Sequence, residues 1–96
     1  MKGGYVYIMS NKRRTTFYVG VTSDLKTRIA DHKNSIGSQF TTKYKLTDLI
    51  YYEEFPNIYQ AIDHEKQIKN WRRQWKINLI QTANPEMFDL YWEIRS

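Results

Sequence analysis

Residues 5–22 read Tyr5-Val6-Tyr7-Ile8-Met9-Ser10-Asn11-Lys12-Arg13-Arg14-Thr15-Thr16-Phe17-Tyr18-Val19-Gly20-Val21-Thr22. Tyr5 to Met9 is rich in aromatic and β-branched residues, the composition of a strand. Ser10 to Thr15 is a polar turn, and Phe17 to Val21 is a second strand. So short a connection predicts an antiparallel hairpin. Side chains alternate along a strand, so Phe17, Val19 and Val21 share one face while Tyr18 and Gly20 share the other. A glycine inside a strand costs packing and predicts a bulge or a close approach by a ligand or another backbone.

Working outward, Thr22-Ser23-Asp24 offers an N-cap, and a helix is expected from about Asp24 to Asn34 with Leu25 and Ile29 as its buried stripe. Asn34 to Ser38, containing Gly37, reads as a loop, and Phe40 to Lys45 as a short helix or loop. Leu49 to Phe55 is a third strand, stopped by Pro56. Asn57 can cap a long helix from about Ile58 to Thr82. Asn84-Pro85-Glu86 is expected to start a last short helix, with proline in its first turn. The order β-β-α-β-α-α, hairpin first and helices after, predicts an α+β fold: a three-stranded antiparallel-type sheet flanked by helices.

The chain has 96 residues, the size of a single domain, with a core expected over about 4–82 and a helical tail over 84–96. It has no cysteine, which excludes a disulfide scaffold, a thiolate zinc site, an iron–sulfur cluster and a cysteine nucleophile. The apolar run Tyr5 to Met9 is too short for a signal-peptide core or a membrane span, so a cytoplasmic protein without a membrane partner is expected. Charge is uneven: residues 1–48 hold nine basic and three acidic residues, a net +6, and residues 49–96 hold six and seven, a net −1. Lys66 to Lys76 contains five basic residues and no acidic one. Such clustering fits a polyanion, nucleic acid being the commonest, or a soluble surface with a cationic bias.

On a helix at 100° per residue, Ile58, Ala61, Ile62, Ile68, Trp75 and Leu79 form one stripe, and Glu65 and Arg72 fall on it. A carboxylate on a core face is costly unless it is paired, hydrogen-bonded or bound to a metal. Glu65 therefore reads either as an edge residue bridged to Lys69 or Arg72, or as a ligand. Arg28 and His32 lie one turn apart beside the Leu25/Ile29 stripe. Arg28 could clamp a phosphate, and His32 could donate to a phosphate oxygen or move a proton. Equally, Arg28 could cover apolar surface with its stem while His32 stays exposed.

Together these pieces resemble the GIY-YIG nuclease family, in particular its small stand-alone, mostly bacterial members. The first motif stands as Tyr5-Val6-Tyr7, with Tyr5 in the glycine position, and the second as Tyr18-Val19-Gly20. The family's catalytic arginine position matches Arg28, the His or Tyr one turn later matches His32, and the metal-binding glutamate on the helix after the third strand matches Glu65. Val21 stands where some members carry a lysine, and the fused DNA-binding domain of homing endonucleases has no counterpart.

The resemblance implies an endonuclease that hydrolyses phosphodiester bonds in nucleic acid, DNA before RNA, of the kind that serves repair or recombination. It implies one divalent cation, Mg²⁺ with Mn²⁺ as substitute, held by Glu65, because Mg²⁺ keeps several waters and one carboxylate can suffice. Arg28 would neutralise the phosphate. Tyr18 is the first candidate to activate water, with Tyr7 positioning it or sharing the role and His32 relaying the proton. Gly20 would be structural. Lys43, Lys45, Lys69, Arg72, Arg73 and Lys76 would contact phosphates without reading sequence. Trp71 or Trp75 could stack on a base, with Trp75 expected in the core. A monomer is expected. The alternatives are a catalytically silent nucleic-acid-binding module of the same fold and a basic protein-interaction adaptor.

Overall fold

The computed structural model describes residues 3–95; the lead-in at Met1 and Lys2 lies outside them. Three strands, β1 (Gly4–Ser10), β2 (Phe17–Thr22) and β3 (Asp48–Phe55), form one sheet in the order β2-β1-β3, and both pairings are antiparallel. Helix α1 (Leu25–Lys33) and the short α2 (Gln39–Lys43) lie between β2 and β3. Helices α3 (Ile58–Lys69), α4 (Arg73–Ala83) and α5 (Tyr91–Ile94) follow. The expected α+β class and three-stranded antiparallel sheet are therefore present, and the Phe40 region is helical over α2.

The alternation along β1 divides the core in two. Val6 and Ile8 pack with Val19, Ala61, Ile68 and Ile80 on the face covered by α3 and α4. Tyr7 and Met9 pack with Leu25, Ile29, Leu46 and Leu49 on the face covered by α1. The β1–β3 register shifts between Ile8, opposite Tyr51, and Met9, opposite Leu49, so Ile50 is the extra residue of a bulge.

Two helix boundaries differ from expectation. The long helix is two helices, broken over Asn70 to Arg72. Asn70 caps α3, its side chain donating to the Lys66 carbonyl at 3.2 Å, and Arg72 is extended at φ −62°, ψ 153°. The break turns α4 about its axis relative to α3. Ile80 is buried there, while Trp75 is 55% exposed and packs edge-on against Trp71 at 6.1 Å instead of entering the core. The last helix begins at Tyr91, not at Asn84. Asn84 is buried, and its side chain pins a turn: Nδ2 donates to the carbonyls of Ile50 and Phe88, and Oδ1 accepts from Phe88 N–H. Asp89 accepts from Leu49 N–H at 3.0 Å, and Leu90 N–H donates to the Leu49 carbonyl at 2.7 Å. The tail is thereby bonded along β3 at the bulge.

Candidate active site

Tyr7 and Tyr18 project from the hairpin on the α1 side of the sheet, their ring centroids 6.4 Å apart. Tyr7 pairs with Gly20 in an unbroken register. A Cβ at residue 20 would collide with Cζ and the hydroxyl of Tyr7. The strand glycine therefore marks neither a bulge nor a second backbone; it makes room for the Tyr7 ring.

The Tyr7 hydroxyl is held from two sides by α1. It lies 3.0 Å from His32 Nε2, and Arg28 Nε donates to it at 3.4 Å. Burial pushes this phenol up to about 12; the Arg28 hydrogen bond pulls it down, and the nearby Tyr18 and Glu65 add to the rise.

His32 is only 2% exposed, so the exposed alternative for this residue does not hold. The loop carrying Gly37 closes over it, and a Cβ at residue 37 would collide with Nδ1. Behind the ring, Thr41 Oγ1 lies 3.1 Å from Nδ1 and donates its own proton to the Ser38 carbonyl at 3.0 Å. With that proton engaged, Thr41 accepts from Nδ1–H, and Nε2 is left with a lone pair that accepts the Tyr7 proton. Burial, then the Arg28 charge, lower the His32 pKa to about 4, which keeps the ring neutral as this network requires.

Arg28 is half-buried, and its hydrogen bond to Tyr7 raises its pKa further, so it is a fixed cation. Its two terminal nitrogens have no protein partner among the described residues and are available to an anion. Glu65 comes from the opposite layer, on α3, which packs across β1 and β2. It is 9% exposed, and Lys69 Nζ lies 3.2 Å from its Oε2. Its charge is felt at the Tyr7 hydroxyl. Tyr7, Tyr18, Arg28, His32 and Glu65 thus share one electrostatic neighbourhood.

A model of the GIY-YIG catalytic domain matches residues 3–78. The chain belongs to the GIY-YIG family. It is 34% identical to a UPF0213 protein of Staphylococcus saprophyticus over 76 residues, 79% of this chain and 92% of that one. It is also 34% identical to a UPF0213 protein of Streptococcus pyogenes over 87 residues, 88% and 92% of the two chains. The solution NMR structure of a UPF0213 protein from Bacillus halodurans matches with a TM-score of 0.57 at 27% identity, covering 88% of each chain. Membership of this nuclease family implies nucleic-acid binding. No helix among the described residues is long and apolar enough to cross a membrane.

The basic residues of this GIY-YIG domain do not lie on one helix. Lys43 ends α2, and Lys45 follows it in a left-handed conformation at φ 57°. Lys69 sits beside Glu65. Arg72 is exposed at the start of α4. Arg73 lies over the Phe17 ring at 4.7 Å and donates to the Arg14 carbonyl, so it braces the hairpin, and Lys76 is half-buried. Sequence reasoning passed over Ser38 and Thr41. The available signal was Ser38 as an N-cap, which accepts from Thr41 N–H and so presents the Thr41 hydroxyl to His32.

No cluster of three or more His, Cys, Asp or Glu side chains suited to a metal occurs among the described residues. A nearly buried carboxylate with one lysine partner still fits a hard divalent cation that takes most of its ligands from water and substrate.

Proposed function

We propose that this protein is a metal-dependent endonuclease that hydrolyses phosphodiester bonds in nucleic acid, DNA before RNA, and that residues 1–96 form a single nuclease domain. The observation that carries the reading is the Tyr7 hydroxyl held between His32 Nε2 and Arg28 Nε. A buried neutral histidine that accepts a phenol proton and donates into a fixed Thr41–Ser38 support is arranged to move protons. A packing role alone requires no such tautomer control.

Arg28 binds the scissile phosphate with its free terminal nitrogens and stabilises the charge that grows on it. That anion offsets the Arg28 charge, one of the two causes depressing His32, so substrate itself makes the imidazole a better base. Tyr7 then takes a proton from the attacking water as its own proton passes to His32 Nε2. This makes Tyr7, rather than Tyr18, the base. Tyr18 is half-buried, and its hydroxyl has no hydrogen-bond partner among the described residues, which supports its holding the water. Glu65 holds the Mg²⁺ or Mn²⁺ ion. When bound, that ion supplies charge stabilisation to the phosphate and the leaving oxygen.

The test is cleavage of single-stranded, nicked, flapped and branched DNA, and of RNA, with Mg²⁺ or Mn²⁺, run beside Glu65→Ala. Cleavage by the parent and none by the variant is expected. Equal activity in both would remove Glu65 from the site. Binding without cleavage of every substrate would establish the silent binding module instead.

A further inference from the structure

Phe40 on helix α2 and Tyr44, its C-cap, extend the Tyr18 ring into an aromatic series, and the hydrolytic chemistry uses neither of them. The Phe40 ring lies 6.2 Å from Tyr18 at an interplanar angle of 30°, and the Tyr44 ring lies 4.7 Å from Phe40. Phe40 and Tyr44 are each 44% exposed, although a helix this short could have presented polar residues there at no cost to the core. The three rings run outward from the candidate site. Tyr44 then forms one wall of a cleft of about 530 Å³ whose other lining includes Arg13, Lys45 and Lys12, the last ion-paired to Asp48 at 2.7 Å. Lys43 Nζ stands 5.4 Å from the Tyr44 ring centroid.

Exposed rings in series beside ammonium and guanidinium groups match one polymer. Its flat bases stack on the rings and its phosphates meet the cations. In a duplex both faces of every base are already stacked on neighbours, so only unpaired nucleotides can use such a platform. A protein partner that filled the same cleft would need to be acidic and flat at the same positions.

We propose that the Tyr18–Phe40–Tyr44 series and the adjoining Arg13/Lys45 cleft hold unpaired nucleotides on one side of the scissile phosphate, so that the substrate is single-stranded or flapped nucleic acid. The proposal deepens the nuclease reading and rests on it for the position of the scissile bond.

The test is binding without divalent metal, so that it does not depend on cleavage. Fluorescence anisotropy would compare a labelled oligothymidylate with a duplex of the same length. Tighter binding of the single strand is expected, with each of Phe40→Ala and Tyr44→Ala weakening it roughly tenfold. Tyr44→Trp should restore binding if Tyr44→Ala merely loosens α2. Lys45→Ala should flatten the slope of log affinity against log salt by about 0.7, one phosphate on a single strand. Trp92→Ala, an exposed aromatic on α5, should change nothing. Equal binding of duplex and single strand, or no loss in either alanine variant, would overturn the proposal even if duplex cleavage succeeds. Normal single-strand binding with no cleavage of any substrate would overturn the nuclease reading and leave the platform standing.

Discussion

The Tyr7 hydroxyl and His32 Nε2 are 3.0 Å apart in a buried contact that joins β1 to α1 across 25 residues of chain. Its direction is set from behind, because Thr41 Oγ1 uses its one proton on the Ser38 carbonyl. Tyr7 is therefore the donor, and its oxygen is left to accept from Arg28 and from a proton donor in the site.

If the two residues act as one unit, their removals will not add. Tyr7→Phe and His32→Gln should each lower single-turnover cleavage by about 10²- to 10⁴-fold. The double variant should be no slower than the worse single one. Multiplied losses would show independent roles. Thr41→Val should lower the rate as well while leaving the fold intact, because it removes the acceptor that selects the tautomer.

The low pKa of His32 makes stability pH-dependent in a stated direction. The unfolded chain protonates this residue near its ordinary value of 6.5, and the folded chain only near about 4. Its contribution is full above the unfolded value and is lost as pH falls through that window, amounting to about 3 kcal/mol at most. Denaturant titrations at several pH values should show this loss, and His32→Gln should flatten it. A parent protein as stable at about pH 4 as at neutral pH would contradict the assignment.

Gly20→Ala probes the room made for Tyr7. The added methyl collides with the tyrosine hydroxyl end, and both neighbours lie in a paired strand. A loss of about 1–3 kcal/mol in thermal or denaturant unfolding is expected. Cleavage should fall further than that loss of stability explains, because the displaced group is the proposed base. Normal activity in a folded Gly20→Ala protein would argue against Tyr7.

Asp48 is buried and bridges Lys12 at 2.7 Å and Arg14 at 2.9 Å. Burial pushes its carboxyl up, but the hydrogen bonds and charges of the two cations outweigh that and leave it below its ordinary value. Its contribution is therefore present above the ordinary aspartate range and lost as pH falls through the lowered one. Arg14→Ala should cost about 2–4 kcal/mol by leaving the carboxylate underpaired. It should also move the acid unfolding midpoint upward, readable by circular dichroism.

The hairpin was legible because two short apolar runs flank a polar turn, and its alternating faces follow from strand geometry alone. Arg28 and Glu65 were legible because they interrupt or border apolar stripes. The break after Lys69 was not: no glycine or proline marks it, and the apolar spacing continues in phase across Asn70 to Arg72. That continuity is what predicts Trp75 in the core. His32 flanks the stripe of Leu25 and Ile29, but its burial depends on the Gly37 loop closing over the ring, a contact between segments that periodicity does not encode. Asn84 looked like a helix start because proline follows it. Its amide instead serves carbonyls and an N–H that only the folded sheet brings near.

The bonds between the tail and β3 reach beyond the tail itself. β3 is an outer strand, and unsatisfied peptide groups along an outer strand are a template on which another chain can add its own strand. Asn84, Asp89 and Leu90 take up Ile50 O, Leu49 N and Leu49 O at the bulge. Residues 84–90 thus plug the opening stretch of that edge, at the bulge, where a second chain would otherwise find free peptide groups.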